Sequence, residues 1–179
     1  SINMLKAIKS NIAQYIAVKK FSQKGYSEKN FNKFFVESQD VLIILPFTVT
    51  ELSVEIIELI RFIAIHKKKL FFIHKAVVQK FLPNDFEYAS LVVGETDKTK
   101  LGLPSKDLIS RISKYKFDLV IDLNTEPNLF ASTIANIPDS DFRIGFIKEK
   151  SDLFYNYQIS NEINTEKSHG NLLNSLRMF

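Results

Sequence analysis

Residues 40–46 read DVLIILP, a run of five aliphatic side chains between an acid and a proline. A short, unbroken apolar run is typical of a strand that is buried on both faces, as in a parallel sheet. Residues 51–66 follow with apolar side chains at helical spacing, and Thr50 or Ser53 can cap that helix. A strand, a short loop and a helix in this order predict the first unit of an α/β fold.

The rest of the chain repeats this alternation. Further strands are predicted at residues 70–74, 90–93, 118–123 and 142–147, and helices at residues 75–82, 105–115, 128–136 and 168–178. Strands that alternate with helices predict a parallel sheet with right-handed crossovers. We therefore expect a Rossmann-like α/β domain over residues 39–179, with about five to six strands and helices on both faces.

The composition limits the possible classes of protein. The 179 residues include no cysteine, which excludes disulfides, thiol catalysis and cysteine-ligated metals. No stretch approaches the roughly 18 consecutive apolar residues of a membrane span, and the first 20 residues lack a signal-peptide pattern. We expect a cytoplasmic protein, either free or peripheral to the inner membrane.

The positive charge is concentrated near the N-terminus. Residues 1–40 contain seven of the 24 basic residues and three of the 20 acidic ones, so the remaining chain has 17 of each and is neutral. This asymmetry sets apart a basic helical segment over residues 1–38. Its candidate docking residues are Lys6, Lys9, Lys19, Lys20 and Lys24.

Two helices are predicted within this basic segment. Over residues 2–19 an apolar stripe recurs at spacings of three and four, formed by Ile2, Leu5, Ile8, Ile12, Tyr15 and Ile16. The stripe either packs on the domain or docks on a partner protein or an anionic membrane surface. A short second helix, capped by Ser27, is expected through Phe31, Phe34 and Phe35.

Ligands of such sheets bind beyond the carboxyl ends of the strands, which here means the loops at residues 46–51 and 124–128. The first loop has no glycine, so a dinucleotide fingerprint and a phosphate-binding P-loop are both absent. We expect no cofactor. The candidate binding residues at this edge are Thr48, Thr50, His74, Asp122, Asn124, Glu126 and Asn128.

Glu51 is the candidate catalytic residue. At the start of a helix it can act as a general base, or it can merely complement the helix dipole. Asp122 can contact a ligand or hydrogen-bond a loop. The three histidines lack metal-ligand spacing, so no metal site is expected, and His74 is the only one predicted near this edge.

Two stretches resemble the N-terminal, acceptor-side domain of the heptosyltransferases, the glycosyltransferase family 9 enzymes of GT-B fold. Residues 41–46, VLIILP, and the loop running on to Glu51 are similar to the family's first strand and its R-x-S-x-x-G-D turn. Residues 117–123, FDLVIDL, with 142–146, FRIGF, are similar to its "DLVIDLQ … RIGF" stretch. The resemblance covers roughly residues 41–150 and implies a Rossmann-like fold.

The resemblance also implies site residues. Glu51 stands where the family has its catalytic aspartate and would act as base toward the acceptor hydroxyl, with Asp122 and Asn124 lining the acceptor pocket. The chain departs from the pattern at Leu45, where the family has a basic residue, and at Phe47, where it has a small hydroxyl residue. Thr50 replaces the glycine of the turn.

The family holds its nucleotide-sugar donor mainly in a second Rossmann-like domain, for which 179 residues leave no room. The chain is also similar to small single-domain proteins of Bacteroidota-type bacteria, which pair a Lys-rich N-terminal segment with such a core.

Three functions follow from these patterns. We favour a non-catalytic binding or assembly protein that docks on a protein partner or an anionic surface through its basic segment. The alternative is a sugar-transfer enzyme that needs a donor domain from elsewhere. The third, least favoured, is nucleic-acid binding through the Lys- and aromatic-rich residues 19–35. A homodimer is compatible with each.

Overall fold

The centre of the structure is a six-stranded sheet with helices on both faces. A computed structural model describes residues 2–23, 30–66 and 68–179. The strands are β1 (Asp40–Ile44), β2 (Lys69–His74), β3 (Tyr88–Val92), β4 (Leu119–Asp122), β5 (Phe142–Phe146) and β6 (Tyr157–Ile159). The helices are α1 (Ile2–Phe21), α2 (Phe34–Glu37), α3 (Val54–Ile65), α4 (Lys106–Ile112), α5 (Leu129–Ala135) and α6 (Thr165–Leu176). The predicted Rossmann-like α/β class is confirmed.

The strand order is β3-β2-β1-β4-β5-β6, and every neighbouring pair is parallel. The chain winds outward from β1 to one edge and from β4 to the other, so its direction reverses between these two strands. Their ends are level, because Ile44 pairs with Asp122. The loops that leave β1 and β4 therefore meet where α/β sheets usually bind ligands.

Alternate strand residues supply two apolar layers. Val41 and Ile43 face α3 and α6, whereas Leu42 and Ile44 belong to the layer that contains α4 and α5. All four side chains are fully buried. Burial on both faces explains why the strand run contains no polar alternation.

The short helix α2 belongs to the core of the domain. Phe34 and Phe35 are both 1% exposed, and the ring of Phe34 lies 4.6 Å from that of Phe179 and 5.2 Å from that of Phe142. The division of the chain at residue 38 remains a prediction. A truncation at that point would remove core side chains, so point variants are the better probe of the basic segment.

The helix α1 is attached along one narrow face. Only Ala13 and Ala17 are buried, and α1 packs against α5. The predicted helix is confirmed, but of its apolar stripe only Ile16 packs on the domain, where it is partly buried. Five of its six members are 46–74% exposed: Ile2, Leu5, Ile8, Ile12 and Tyr15. The two alanines form the centre of the contact, with the partly buried Val18 and Phe21 beside them, because small side chains allow helices to approach closely.

Several boundaries differ from the prediction. The segment Val49–Glu51 is a 3₁₀ turn, and α3 begins only at Val54 with Ser53 at the N-cap position. The segment Ala76–Phe81 is likewise a 3₁₀ helix, and α6 begins three residues earlier than expected, at Thr165 rather than 168. About five to six strands were predicted, but only five were assigned positions. The sixth, β6, has only three residues. The predicted cap Ser27 and docking residue Lys24 lie outside the described residues.

Gly145 in β5 is explained by a close approach. A Cβ atom at this position would lie 2.6 Å from Cγ of Tyr155, well inside van der Waals contact. The ring of Tyr155 therefore lies directly against the β5 backbone. This packing directs the tyrosine hydroxyl toward the end of β4, where the polar residues of the edge converge.

Candidate functional site at the carboxyl edge of the sheet

Asn124 joins the two loops at the centre of the sheet. Its Oδ1 accepts a hydrogen bond from the Phe47 amide at 2.9 Å, and its Nδ2 donates to the Leu45 carbonyl at 3.3 Å. Asn124 is fully buried. Because buried backbone groups need partners, one side chain substitutes here for the β-ladder that ends at Ile44.

Glu51 provides a second connection between the same loops. Its Oε2 accepts from the Thr125 amide at 2.6 Å, the Thr125 hydroxyl at 2.9 Å and the Glu126 amide at 3.2 Å. Its Oε1 accepts from the Thr48 hydroxyl at 2.7 Å. The side chain is only 4% exposed. Both oxygens of the carboxylate are thus used as acceptors within the protein.

Asp122 is the centre of a buried polar cluster. Its Oδ1 accepts from the amide of Asn124 at 3.0 Å and from Nδ2 of the same residue at 2.7 Å. Its Oδ2 accepts from the Tyr155 hydroxyl and lies 3.6 Å from Nζ of Lys148. The side chain of Lys148 is 4% exposed and also donates to the Asn124 carbonyl at 2.6 Å. A buried carboxylate is thus matched by a buried cation and three further donors.

Tyr155 is held as a neutral phenol. Burial raises its pKa well above the ordinary value, and the adjacent charge of Asp122 raises it further. Its hydroxyl also lies 3.0 Å from Oγ of Ser132. The phenol therefore keeps its proton throughout the physiological pH range, and its hydroxyl donates a hydrogen bond to Asp122.

His169 reaches the edge from α6. Its Nε2 lies 3.0 Å from the Leu123 carbonyl, and its Nδ1 lies 2.9 Å from Oγ of Ser53. A carbonyl can only accept, so Nε2 carries the proton and the Ser53 hydroxyl donates to Nδ1. Burial lowers the pKa of His169, and the charges of Glu51 and Glu55 offset this only in part.

This position contradicts the expectation that His74 is the only histidine near the edge. His74 does end β2, where it is fully buried and its Nδ1 donates to the Lys75 carbonyl at 2.9 Å. Within the described part of the chain its Nε2 has no hydrogen-bond partner. The two histidines thus reach the same edge from different elements.

The structure brings together five of the eight edge candidates: Thr48, Glu51, Asp122, Asn124 and Glu126. The other three have separate positions. His74 is buried at the end of β2, Thr50 is exposed, and Asn128 is the N-cap of α5, accepting from the Ala131 amide at 3.0 Å. The docking candidates Lys6, Lys9, Lys19 and Lys20 are all exposed on α1.

The residues that complete the clusters were not predicted from the sequence. Lys148 and Tyr155 follow β5, outside the predicted loops, and Ser53 and His169 were assigned no shared role. The glycine in FRIGF was the available signal, because an unexplained strand glycine often marks the close approach of another group. Arg143 in that stretch is structural: it donates to the carbonyls of Ala135, Pro138 and Ser140, at distances of 2.8 to 2.9 Å.

A polar groove lies beside this edge, where α3 faces α6. Its volume is about 440 Å³, and its lining includes Glu55, Glu162, Asn164, Glu166 and Asn171. No group of three or more His, Asp or Glu side chains in residues 2–23, 30–66 and 68–179 could hold a metal ion. Carboxylates and amides of this kind can hydrogen-bond hydroxyl groups.

The polar side chains at the carboxyl edge of the sheet already have hydrogen-bond partners within the protein. The oxygens of Glu51 and Asp122 are engaged by protein donors, and the Tyr155 phenol keeps its proton. Proton abstraction from a ligand would require one of these hydrogen bonds to be given up. In this arrangement the hydrogen bonds hold the loops after β1 and β4 together.

The fold has counterparts among glycosyltransferases. A glycosyl transferase family 9 structure from Veillonella parvula DSM 2008 matches 77% of this chain with a TM-score of 0.55 and 16% identity. The E. coli heptosyltransferase WaaC with ADP matches 76% with a TM-score of 0.56 and 14% identity. In sequence, no protein-family model and no curated protein matches the chain.

The matches cover 41% and 46% of these neighbours, so the chain spans less than half of their length. The predicted resemblance to a half of such an enzyme is therefore confirmed at the level of the fold. At 14–16% identity, the likeness establishes the architecture and leaves the chemistry to be argued from the residues.

Proposed function

We propose that this chain is a non-catalytic binding or assembly module that docks on its partner through α1. The observation that supports this function is the exposed apolar surface of that helix. Ile2, Met4 and Leu5 are 60–74% exposed, and every residue from 2 to 12 is exposed. Soluble monomers rarely leave a contiguous apolar patch uncovered.

The length of the uncovered part adds to this argument. Residues 2–12 amount to about three helical turns, and an isolated helix shorter than roughly 12–15 residues is marginal in water. A partner surface that covered the apolar side chains would therefore stabilise both the contact and the helix.

The carboxyl edge supports the non-catalytic half of the proposal. A general base needs a lone pair directed at its substrate. Glu51 instead accepts four hydrogen bonds from the protein and is almost completely buried. We assign it a structural role, in which it holds the β1 and β4 loops together.

The test compares two double variants of the full chain. Leu5→Glu with Ile8→Glu places charge in the exposed apolar stripe, whereas Asn3→Glu with Ser10→Glu adds the same charge at exposed polar positions of the same helix. In a pull-down from native lysate and membranes, the first variant should lose at least about 90% of the captured partner, and the second should retain it. Equal capture by both variants would remove the basis of the proposal.

A sugar-transfer enzyme is the second candidate. The likeness of the fold to glycosyltransferases favours it. The groove between α3 and α6 also favours it, because its carboxylates and amides suit a polyhydroxyl ligand. In this case Glu51 would leave its hydrogen bonds and act as base, and a second chain would supply the donor. Glu51→Gln should then abolish transfer from a nucleotide sugar. Transfer by wild-type protein that persists in this variant would exclude the assigned base.

A further inference from the structure

We infer that the surface bound by α1 is an anionic lipid bilayer, on which the helix lies parallel to the membrane plane with its apolar face inserted. This inference rests on the proposed docking function and specifies the partner. None of the described helices is long and apolar enough to cross a bilayer. The apolar face of the helix, its charge and its attachment to the domain all fit a bilayer surface.

Four of the exposed apolar side chains lie on one face of α1 and form the stripe that enters the bilayer. Met4, Ile8, Ile12 and Tyr15 recur at spacings of three and four, which places them in one stripe along the helix. Their exposed fractions are 60%, 47%, 46% and 65%. Aliphatic side chains of this kind can insert into a bilayer, and a tyrosine at the end of the stripe suits the membrane interface.

The charge of α1 selects an anionic surface. The helix contains four lysines and no acid. Lys9 and Lys20 both lie to one side of the stripe, roughly 110° around the helix from its centre. Lys19 follows Tyr15 by one turn, with its Nζ 5.8 Å from the centre of the tyrosine ring. Lysines at such positions can extend their ammonium groups to lipid phosphates while their alkyl chains cover apolar surface.

The same charge argues against a second copy of this chain as the occupant. In a symmetric pair of α1 helices, lysines would face lysines without any acid from either helix to neutralise them. A basic helix also differs from the usual partner helix of a coiled coil, in which acids and lysines alternate beside the seam.

The attachment to the domain leaves the apolar face free. Ala13 and Ala17 contact the body. At 100° per residue they lie roughly 150° around the helix from the centre of the apolar stripe. The domain therefore lies on the side of α1 opposite the apolar stripe, and the stripe can enter a bilayer without any change in the fold.

The experiment is flotation of the full chain with vesicles of phosphatidylcholine alone and with vesicles that contain about 30% phosphatidylglycerol. We expect binding to the anionic vesicles only, weakened by high salt. Leu5→Glu with Ile8→Glu should reduce the apparent affinity about 100-fold, roughly tenfold for each apolar side chain withdrawn. Asn3→Glu with Ser10→Glu adds the same charge and should reduce it far less.

A second pair of variants tests the lysines. Lys9→Gln with Lys19→Gln should lower the affinity about 10- to 30-fold, because each lysine at an anionic surface contributes roughly fivefold. Lys100→Gln with Lys114→Gln removes the same charge from exposed positions of the body and should have little effect. Unchanged thermal unfolding of each variant shows that the domain has remained folded.

Sedimentation of the same samples without lipid separates failure of the inference from failure of the proposed function. Absence of vesicle binding, with wild-type self-association that Leu5→Glu and Ile8→Glu abolish, would overturn the lipid assignment and leave docking through α1 intact, with a second copy as occupant. Absence of both, with equal capture of lysate proteins by both glutamate variants, would overturn the inference and the function together.

Discussion

Replacement of Glu51 by glutamine separates a structural carboxylate from a catalytic one. The variant keeps the size of the side chain and one oxygen that can serve the Thr125 and Glu126 donors. Its new amide group would face the Thr48 hydroxyl, which can turn and accept. The number of hydrogen bonds is thus retained, and what is lost is the charge that strengthens them.

The magnitude follows from the three donors around Oε2. A hydrogen bond to a charged group contributes about 1.5–3 kcal/mol and a neutral one about 0.5–1.5, so the charge adds roughly 1 kcal/mol per bond. Because neighbouring bonds are not additive, we expect Glu51→Gln to lower the free energy of unfolding by about 2 kcal/mol. Glu51→Ala also leaves the buried Thr125 amide without an acceptor and should cost about 4 kcal/mol.

The assay is urea unfolding followed by circular dichroism, supported by thermal melts. A loss of 2 kcal/mol corresponds to a Tm decrease of roughly 4–8 °C for a domain of this size. Glu58→Gln is the matched control, because Glu58 is exposed on α3. If Glu51→Gln unfolds within about 0.5 kcal/mol of wild type, the carboxylate does not hold the loops, and the reasoning is refuted.

Three further predictions concern the clusters around this edge. Gly145→Ala should lower the unfolding free energy by about 3 kcal/mol or prevent folding, because its Cβ would overlap the ring of Tyr155, and an undisturbed urea midpoint would contradict this packing. Lys148→Met leaves the charge of Asp122 buried without its partner and should lower the unfolding free energy by about 3–5 kcal/mol. Adding Asp122→Asn should recover much of that loss. A double variant that is no more stable than the single one would argue against a paired charge. Burial lowers the pKa of His169, so the unfolded chain binds its proton at a higher pH than the folded chain does. The stability contributed by neutral His169 should be complete above a pH of about 6.5 and decline as the pH falls below it, and His169→Gln should remove that part of the slope in urea midpoints measured from pH 5 to 8.

The sheet could be predicted from the sequence because its central strands are buried on both faces. Burial on both sides demands an unbroken apolar run, and residues 41–45 and 119–121 provide one. β6 lies at the edge of the sheet and has three residues, so it leaves no such run. The start of α3 was misplaced for a related reason, since the acid at position 51 fits a first helical turn but is used to bind a neighbouring loop.

The candidate site could be predicted only in part. Parallel topology brings the ends of β1 and β4 together, which is why Glu51, Asp122 and Asn124 were expected at one edge. Nothing local indicates that Lys148 and Tyr155 turn back to the end of β4, because their positions depend on the packing of Tyr155 over β5. For α1, periodicity revealed an apolar stripe but not whether the domain or another surface covers it.

The attachment of α1 has a consequence for local unfolding. The contact consists of Ala13 and Ala17 with the partly buried Ile16, Val18 and Phe21 beside them, and beyond the end of the helix the Gln23 amide donates to the Leu153 carbonyl at 2.9 Å. Residues 2–12 are exposed throughout, so this part of the helix can open without opening the sheet. Its amide hydrogens should exchange with solvent by fraying that begins at Ile2, while the amides of β1 exchange only when the whole domain unfolds. The molecule thus combines a rigid sheet with a helix whose order depends on what it touches.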